Sequence, residues 1–156
     1  MRYWLMKSEP HVFGIHHLKT RPNKTEHWDG VRNYQARNFL RDEMKKGDLA
    51  FFYHSSCAEP GIAGIVKIMR AGYPDSTAWD PKSNHFDPKS TPDKPVWYMV
   101  DVKLEREFRR AITLSDIKAN PALKDMRLVQ RGSRLSILPV TEKEWNAILR
   151  MVQSIK

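Results

Sequence analysis

The run Leu49-Ala50-Phe51-Phe52-Tyr53 constrains the fold more than any other stretch of the chain. Successive apolar residues put large side chains on both faces of a strand, so that strand has to be covered on both sides. Leu49 to His54 therefore reads as a strand inside a barrel. Gly61 to Ile68 repeats the signal, rich in isoleucine and with glycines that permit tight bends or close backbone approach. Residues 2–6 read as a short strand carrying Tyr3 and Leu5 into the core. Ser8-Glu9-Pro10 stops it, since proline lacks an N–H and restricts the residue before it. From Val96 to Leu104 the pattern is clean alternation, with Val96, Tyr98, Val100, Val102 and Leu104 on one face and Asp101 and Lys103 on the other.

Helical signals lie between these strands. Val12, Ile15 and Leu18 have the spacing of one short helix, and the polar stretch 20–27, with Pro22, reads as a loop. Trp28 to Val31 reads as a turn into a helix from Asn33, a plausible N-cap, to Glu43, with Ala36 and Leu40 on its buried stripe. Residues 72–95 carry Pro74, Pro81, Pro88, Pro92 and Pro95 and form an irregular excursion long enough to suggest a functional loop. Leu114 to Asn120 is a short helix, and 127–138 is a mixed basic and apolar segment that returns Ile137 and Leu138 to the core. Thr141 and Glu144 form a capping-box pattern before the amphipathic stripe Trp145, Ile148, Leu149 and Val152. Strands and helices are interspersed without regular alternation. The economical arrangement is α+β, a mixed sheet curling into a small barrel with helices around it. The 156 residues fit one domain over 1–156.

Composition narrows the function. Lys plus Arg number 27 against 18 Asp plus Glu, a formal net charge of +9 that draws polyanions. Met1 to Lys7 lacks an apolar leader core, and no apolar run approaches the roughly 20 residues of a membrane helix, so a soluble intracellular protein with no membrane partner is expected. Cys57 is the single cysteine, which removes internal disulfides and a zinc-finger ligand set.

Four clusters carry chemistry. Lys7, Ser8 and Glu9 sit at a strand mouth, where an ammonium, a hydroxyl and a carboxylate can read a base edge; equally, Lys7 and Glu9 are solvated and Ser8 caps the next helix. Trp28 to Asn38 combines a stacking face in Trp28 and an edge reader in Asn33 with Tyr34, Arg32 and Arg37, the arginines suiting phosphates; the competing reading is that Asn33 only caps and Trp28 only packs. In Phe52 to Ser56, Phe52 is core, while His54 and Ser55 face a pocket mouth. Arg127, Arg131 and Arg134, with Gly132 and Ser133, form a backbone-tracking edge or a solvated charged face. His54 and Cys57 lack a third orienting group for catalysis. His16 and His17 are adjacent and point to different helix faces, a poor metal pair. No Walker, GxGxxG or GxSxG pattern occurs, so neither metal nor cofactor is expected.

Trp4 to Pro10, Trp28 to Asn38 and Phe52-Tyr53-His54-Ser55 resemble, in order, the opening motifs of EVE domains. Pro60 to Ile65, Tyr73-Pro74-Asp75, Trp97 with Val100-Asp101-Val102, and Leu128 to Arg131 through Ser133 to Ser136 continue the resemblance to the final helix. The chain is similar to stand-alone bacterial members of that family. The resemblance implies a PUA-like pseudobarrel of mixed strands flanked by helices and kinship with domains that read methylated adenine in RNA. It also implies a site for modified bases, notably modified cytosine in DNA, or RNA for some members. No established catalysis accompanies the fold. The location implied is cytoplasmic for the bacterial type and nuclear for a eukaryotic one.

The expected base-binding set is Lys7, Ser8, Glu9, Trp28, Asn33, Tyr34, His54 and Ser55, with Arg32, Arg37, Arg127, Arg131 and Arg134 on phosphates. Two rivals stand beside base capture: a hydrolase of small amides on nucleosides using Lys7 and Glu9 as an acid–base pair, and an RNA-binding module indifferent to modification.

Overall fold

In the computed structural model, which describes residues 1–131 and 134–155, each face of the central sheet has its own apolar cover. The strands are β1 (Tyr3–Ser8), β2 (Thr25–Trp28), β3 (Leu49–His54), β4 (Gly61–Pro74), β5 (Tyr98–Thr113) and β6 (Ile137–Val140), in the order β2-β5-β4-β3-β1-β6. β1 and β3 run parallel, in register from Tyr3 opposite Leu49 to Ser8 opposite His54. The remaining pairs are antiparallel. A parallel pair needs a crossover. Here it carries α1 (Pro10–Phe13), α2 (Ile15–Thr20), β2 and α3 (Tyr34–Asn38).

The two-sided apolar run is explained by this arrangement. Ala50 and Phe52 join one core cluster with Trp4 and Met6; Phe51 and Tyr53 join the other with Leu5. The first cluster draws Trp4, Trp28, Phe52, Val66, Val100 and Ile137 from the successive strands of the sheet. In a flat sheet β2 would stand three strand spacings, roughly 14 Å, from β3. The Trp28 and Phe52 rings nevertheless meet with centroids 5.2 Å apart. The sheet is therefore curled into the pseudobarrel that the resemblance implies, with this cluster inside. Curling follows from register shifts along the β4–β5 ladder. At Gly64 the two backbones approach so closely that a Cβ would strike the Arg106 carbonyl. The second cluster lies outside, under α4 (Leu114–Ala119) and α5 (Glu142–Gln153). Trp145 of α5 stacks on Phe51 at 3.9 Å and on Tyr3 at 4.5 Å. The capping box at Thr141 and Glu144 is present, with bonds of 3.1 and 3.0 Å.

Several local expectations are corrected. The stretch 20–27 is not all loop, since Thr25 to Trp28 pair with Lys103 to Val100 as an edge strand. Only Trp28 of that strand is buried, so no alternation marks it. The helix through Val12 and Leu18 is two helices, divided at Gly14, whose backbone is extended. The helix from Asn33 ends at Asn38 and opens into a wider turn over Phe39–Glu43, closed by the Met44 N–H on the Phe39 carbonyl. β4 and β5 run on to Pro74 and Thr113, past the apolar stretches that announced them, because backbone pairing continues where side chains are exposed. His16 and His17 do not diverge. Both rings fold back over Gly14, with His17 Nδ1 accepting from the Gly14 N–H, and their centroids lie 4.1 Å apart. Among the described residues no group of three or more His, Cys, Asp or Glu is placed to hold a metal, and no helix is long and apolar enough to cross a membrane.

Candidate functional site

The curl brings the end of β1, the end of β2 and the approach to β6 around one cavity of about 440 Å³. That is within the range of roughly 300–1,000 Å³ typical of small-ligand pockets. Lys7 and Ser8 come from β1, Val12 and Phe13 from α1, and Ser136 from the residue before β6. Glu26, His27 and Trp28 come from β2, and Asp29, Gly30, Val31 and Arg32 from the turn after it; Arg21 and His85 complete the lining. The Ser136 carbonyl accepts from the Lys7 N–H at 2.8 Å, which joins the two sides of the mouth.

Trp28 forms the apolar wall. It is 6% exposed, held edge-on by Phe52 at 5.2 Å and by Phe13 at 6.3 Å. The turn beyond it is anchored from 45 residues away. Asp75 is fully buried and its carboxylate accepts from the Gly30 N–H at 2.9 Å, from Arg32 Nη1 at 3.1 Å and from the Thr77 N–H at 2.9 Å. Burial alone would raise this carboxyl, but the hydrogen bonds from Thr77, Gly30 and Arg32 together hold it below the usual aspartate value. Gly30 has φ +76, and the His85 imidazole lies where its Cβ would stand, so both the turn and the packing require glycine.

The charged groups of the cavity differ in how fully they are paired. Arg21 Nε donates to Glu26 at 2.8 Å. Burial would raise the Glu26 carboxyl, but that bond and the His27 N–H bring it below its ordinary value. Arg32 donates to the His85 carbonyl at 2.6 and 3.2 Å as well as to Asp75, and its guanidinium lies 5.4 Å from the Trp97 ring centroid. Lys7 has no ion-pair partner among the described residues, and burial lowers its ammonium pKa. Asp29 stands 4.0 Å from His85 Nδ1. Burial raises its carboxyl, opposed by His85, with Asp75 adding to the rise.

The raised Asp29 carboxyl has a measurable consequence. The folded chain binds that proton more tightly than the unfolded chain, so its ionisation costs native stability as pH rises through the folded value. Asp29→Asn is therefore expected to melt higher than the parent at pH 7. Thermal melts across pH should show the gap closing as pH falls toward the ordinary aspartate value of 3.8.

Of the residues expected from sequence, Lys7, Ser8, Trp28 and Arg32 meet in this cavity. Ser8 Oγ donates to the Phe13 carbonyl at 2.7 Å and so fixes α1 against the mouth. The others are placed elsewhere. Glu9 is exposed beside His11 at 3.5 Å. Asn33 caps α3 by accepting from the Ala36 N–H. His54 Nε2 accepts from the Ile15 N–H, and Ser55 follows β3 with its N–H on the Ser8 carbonyl. Tyr34 is 58% exposed and tilted over Trp97 at 4.9 Å, with Arg37 at 5.0 Å from its ring. Arg37 Nη1 donates to the Val96 carbonyl, so Arg32 and Arg37 both tie the 75–97 excursion to α3 and the turn before it. Arg127, Arg131 and Arg134 are exposed on the segment leading to Ser136; Gly132 and Ser133 of that cluster lie outside the described residues. Phe13, Asp29 and His85 were not singled out from sequence. Asp29 sits inside the Trp28–Asn38 motif, and His85 belongs to the proline-marked excursion.

The EVE domain pattern matches residues 2–151. Thymocyte nuclear protein 1 of Danio rerio is 50% identical over 165 residues, covering 95% of this chain and 71% of that protein. A crystal structure of the human THYN1 protein in complex with 5-methylcytosine-containing DNA superposes with a TM-score of 0.92 at 46% identity, covering 100% of both chains. A crystal structure of a Pseudomonas syringae protein superposes with a TM-score of 0.91 at 51% identity, covering 96% of this chain and 99% of that one.

Proposed function

The chain belongs to the EVE domain family, and from that premise we propose that it is a DNA-binding module whose cavity takes up a modified cytosine. The observation that carries this reading is the cavity walled by Trp28 and rimmed by Lys7, in a chain aligned end to end with a relative crystallised on 5-methylcytosine-containing DNA. A duplex base reaches such a cavity only by leaving its stack, which costs a few kcal/mol and less in a single strand. Contact with an aromatic face returns about 1–3 kcal/mol. A buried 5-methyl group adds about 0.8 kcal/mol, close to a fourfold preference over cytosine. Affinity beyond that comes from phosphates. Exposed Arg127, Arg131 and Arg134 lead to the cavity at Ser136 and are the groups we assign to the backbone; Arg32 and Arg37 act by holding the site together.

Base capture without chemistry is favoured over hydrolysis by one feature. Glu9, the acid–base partner that hydrolysis would pair with Lys7, lies outside the cavity beside His11.

Fluorescence anisotropy tests the reading. Matched DNA and RNA oligonucleotides carry cytosine, 5-methylcytosine, 5-hydroxymethylcytosine or N6-methyladenine at one position, at fixed salt. The expected result is preference for a modified cytosine in DNA; flat binding across the panel would overturn it. A salt titration gives the second expectation: log K should fall linearly with log salt, with a slope of about −0.9 per phosphate neutralised on duplex DNA. Replacing Arg131 and Arg134 by alanine should shallow that slope by up to about two units without changing the preference between bases.

A further inference from the structure

We propose that Asp29 selects the class of base by accepting a hydrogen bond from an exocyclic amine, so that the cavity takes 4-aminopyrimidines and rejects 4-oxopyrimidines. This rests on the base-capture reading above and names the group that reads the base edge.

Hydrogen-bonding capacity separates Asp29 from the other carboxylate of the cavity. Of the cavity's carboxylates, Glu26 is engaged by Arg21 and by the His27 N–H. Asp29 accepts no hydrogen bond from another residue among the described residues; the His85 Nδ1 stands 4.0 Å from its carboxylate, beyond hydrogen-bond distance. A half-buried carboxylate left in that condition has acceptor capacity available to a ligand. Its position is also fixed on both sides. Trp28 before it is packed into the barrel interior, and the Gly30 N–H after it is held by Asp75. The acceptor is thus presented from a rigid turn beside the aromatic wall, the preorganisation that a base-reading group requires.

The chemistry then discriminates. An ionised carboxylate only accepts. Cytosine and 5-methylcytosine present an N4 amine that donates; thymine and uracil present an O4 carbonyl at the same place, which also accepts. The carboxylate therefore bonds one pair of bases and faces a lone pair on the other. Lys7, donating from β1, suits the O2 carbonyl that all of these bases share. It contributes affinity without choosing among them.

Thymine makes the test clean, because it carries the same 5-methyl group as 5-methylcytosine. Single-stranded oligonucleotides identical except for cytosine, 5-methylcytosine or thymine at one position are measured by anisotropy against the parent, Asp29→Ala, Asp29→Asn and Lys7→Met. The parent should prefer 5-methylcytosine over thymine by about tenfold or more. Asp29→Ala should bring that ratio near one and leave the ratio of 5-methylcytosine to cytosine unchanged. Asp29→Asn should also narrow it, because a carboxamide can turn its NH₂ toward O4, while keeping most of the affinity for 5-methylcytosine. Lys7→Met should weaken all three alike. A parent that prefers 5-methylcytosine to cytosine yet binds thymine equally well, or an alanine variant that keeps the thymine penalty, overturns the Asp29 assignment alone. A parent blind to the methyl group but still rejecting thymine overturns the modified-base reading and leaves Asp29 as the selector.

Discussion

Asp75→Ala is expected to lower the melting midpoint by roughly 10 °C, a loss of about 3–5 kcal/mol, and to abolish base-dependent binding with it. The carboxylate is fully buried and is the shared acceptor for the Gly30 N–H, the Thr77 N–H and the Arg32 guanidinium. Alanine leaves those donors without their partner and leaves Arg32 without its counter-charge, and each orphaned buried donor costs about 1–3 kcal/mol. Loss of function follows from the same bonds. Gly30 to Arg32 form one side of the cavity, and Asp75 fastens the Gly30 backbone to the excursion that carries His85 and holds the Arg32 guanidinium that bonds the His85 carbonyl. Asp75→Asn should fall between the two, since its NH₂ would confront a donor where the parent presents an oxygen. The pH dependence supplies a second check. The Asp75 carboxyl is held below its usual value, so its contribution is complete above about 3.8 and disappears as pH falls through the lowered value. Chemical denaturation of parent and alanine variant should therefore converge in stability in strong acid and diverge toward neutrality.

Asp75 also shows which parts of this protein could be read from residue order. The two-sided apolar character of Leu49 to Tyr53 announces a strand buried on both faces, and Thr141 with Glu144 announces a helix start, because both signals are local. Burial of Asp75 is not a local property. Its partners at Gly30 and Arg32 lie more than 40 residues away, and nothing about Tyr73-Pro74-Asp75 alone separates a buried anchor from a turn carboxylate. The strand at Thr25 to Trp28 escaped for a related reason: an edge strand with one buried side chain has no periodicity to display. At the site, the motifs located the cavity but not the division of labour within it. Arg32 and Arg37 have the residue type and position of phosphate ligands, and their guanidinium bonds run instead to the His85 and Val96 carbonyls. Asn33 carries an edge-reading amide and uses its oxygen to cap α3. The cap is local and is one of the two readings that the sequence offers for Asn33, whereas the arginines' partners were not legible, since they arrive through the return of the 75–97 excursion.

Trp28 should give the other large effect, provided the substitution separates its two roles. Its ring is 6% exposed and packs edge-on against Phe52 and Phe13, so it belongs to the barrel interior as well as to the cavity wall. Trp28→Ala is expected to cost about 3–5 kcal/mol in folding stability, because a buried aromatic is removed from a packed cluster. A loss of binding in that variant would say little about stacking. Trp28→Leu keeps apolar contact with Phe52 while removing the π-face, and Trp28→Phe keeps a smaller face. If the base lies against Trp28, the leucine variant should bind a 5-methylcytosine oligonucleotide about 5- to 150-fold more weakly, the equivalent of 1–3 kcal/mol of base–aromatic stacking. The phenylalanine variant should retain most of the affinity, and the salt dependence should be unchanged in both, since no phosphate contact is touched. A leucine variant that folds, keeps the parent's salt slope and keeps its full preference for 5-methylcytosine would make Trp28 a core residue only. The stacking face would then have to be sought at Phe13 on the same cavity, or at exposed Tyr34 over Trp97 outside it.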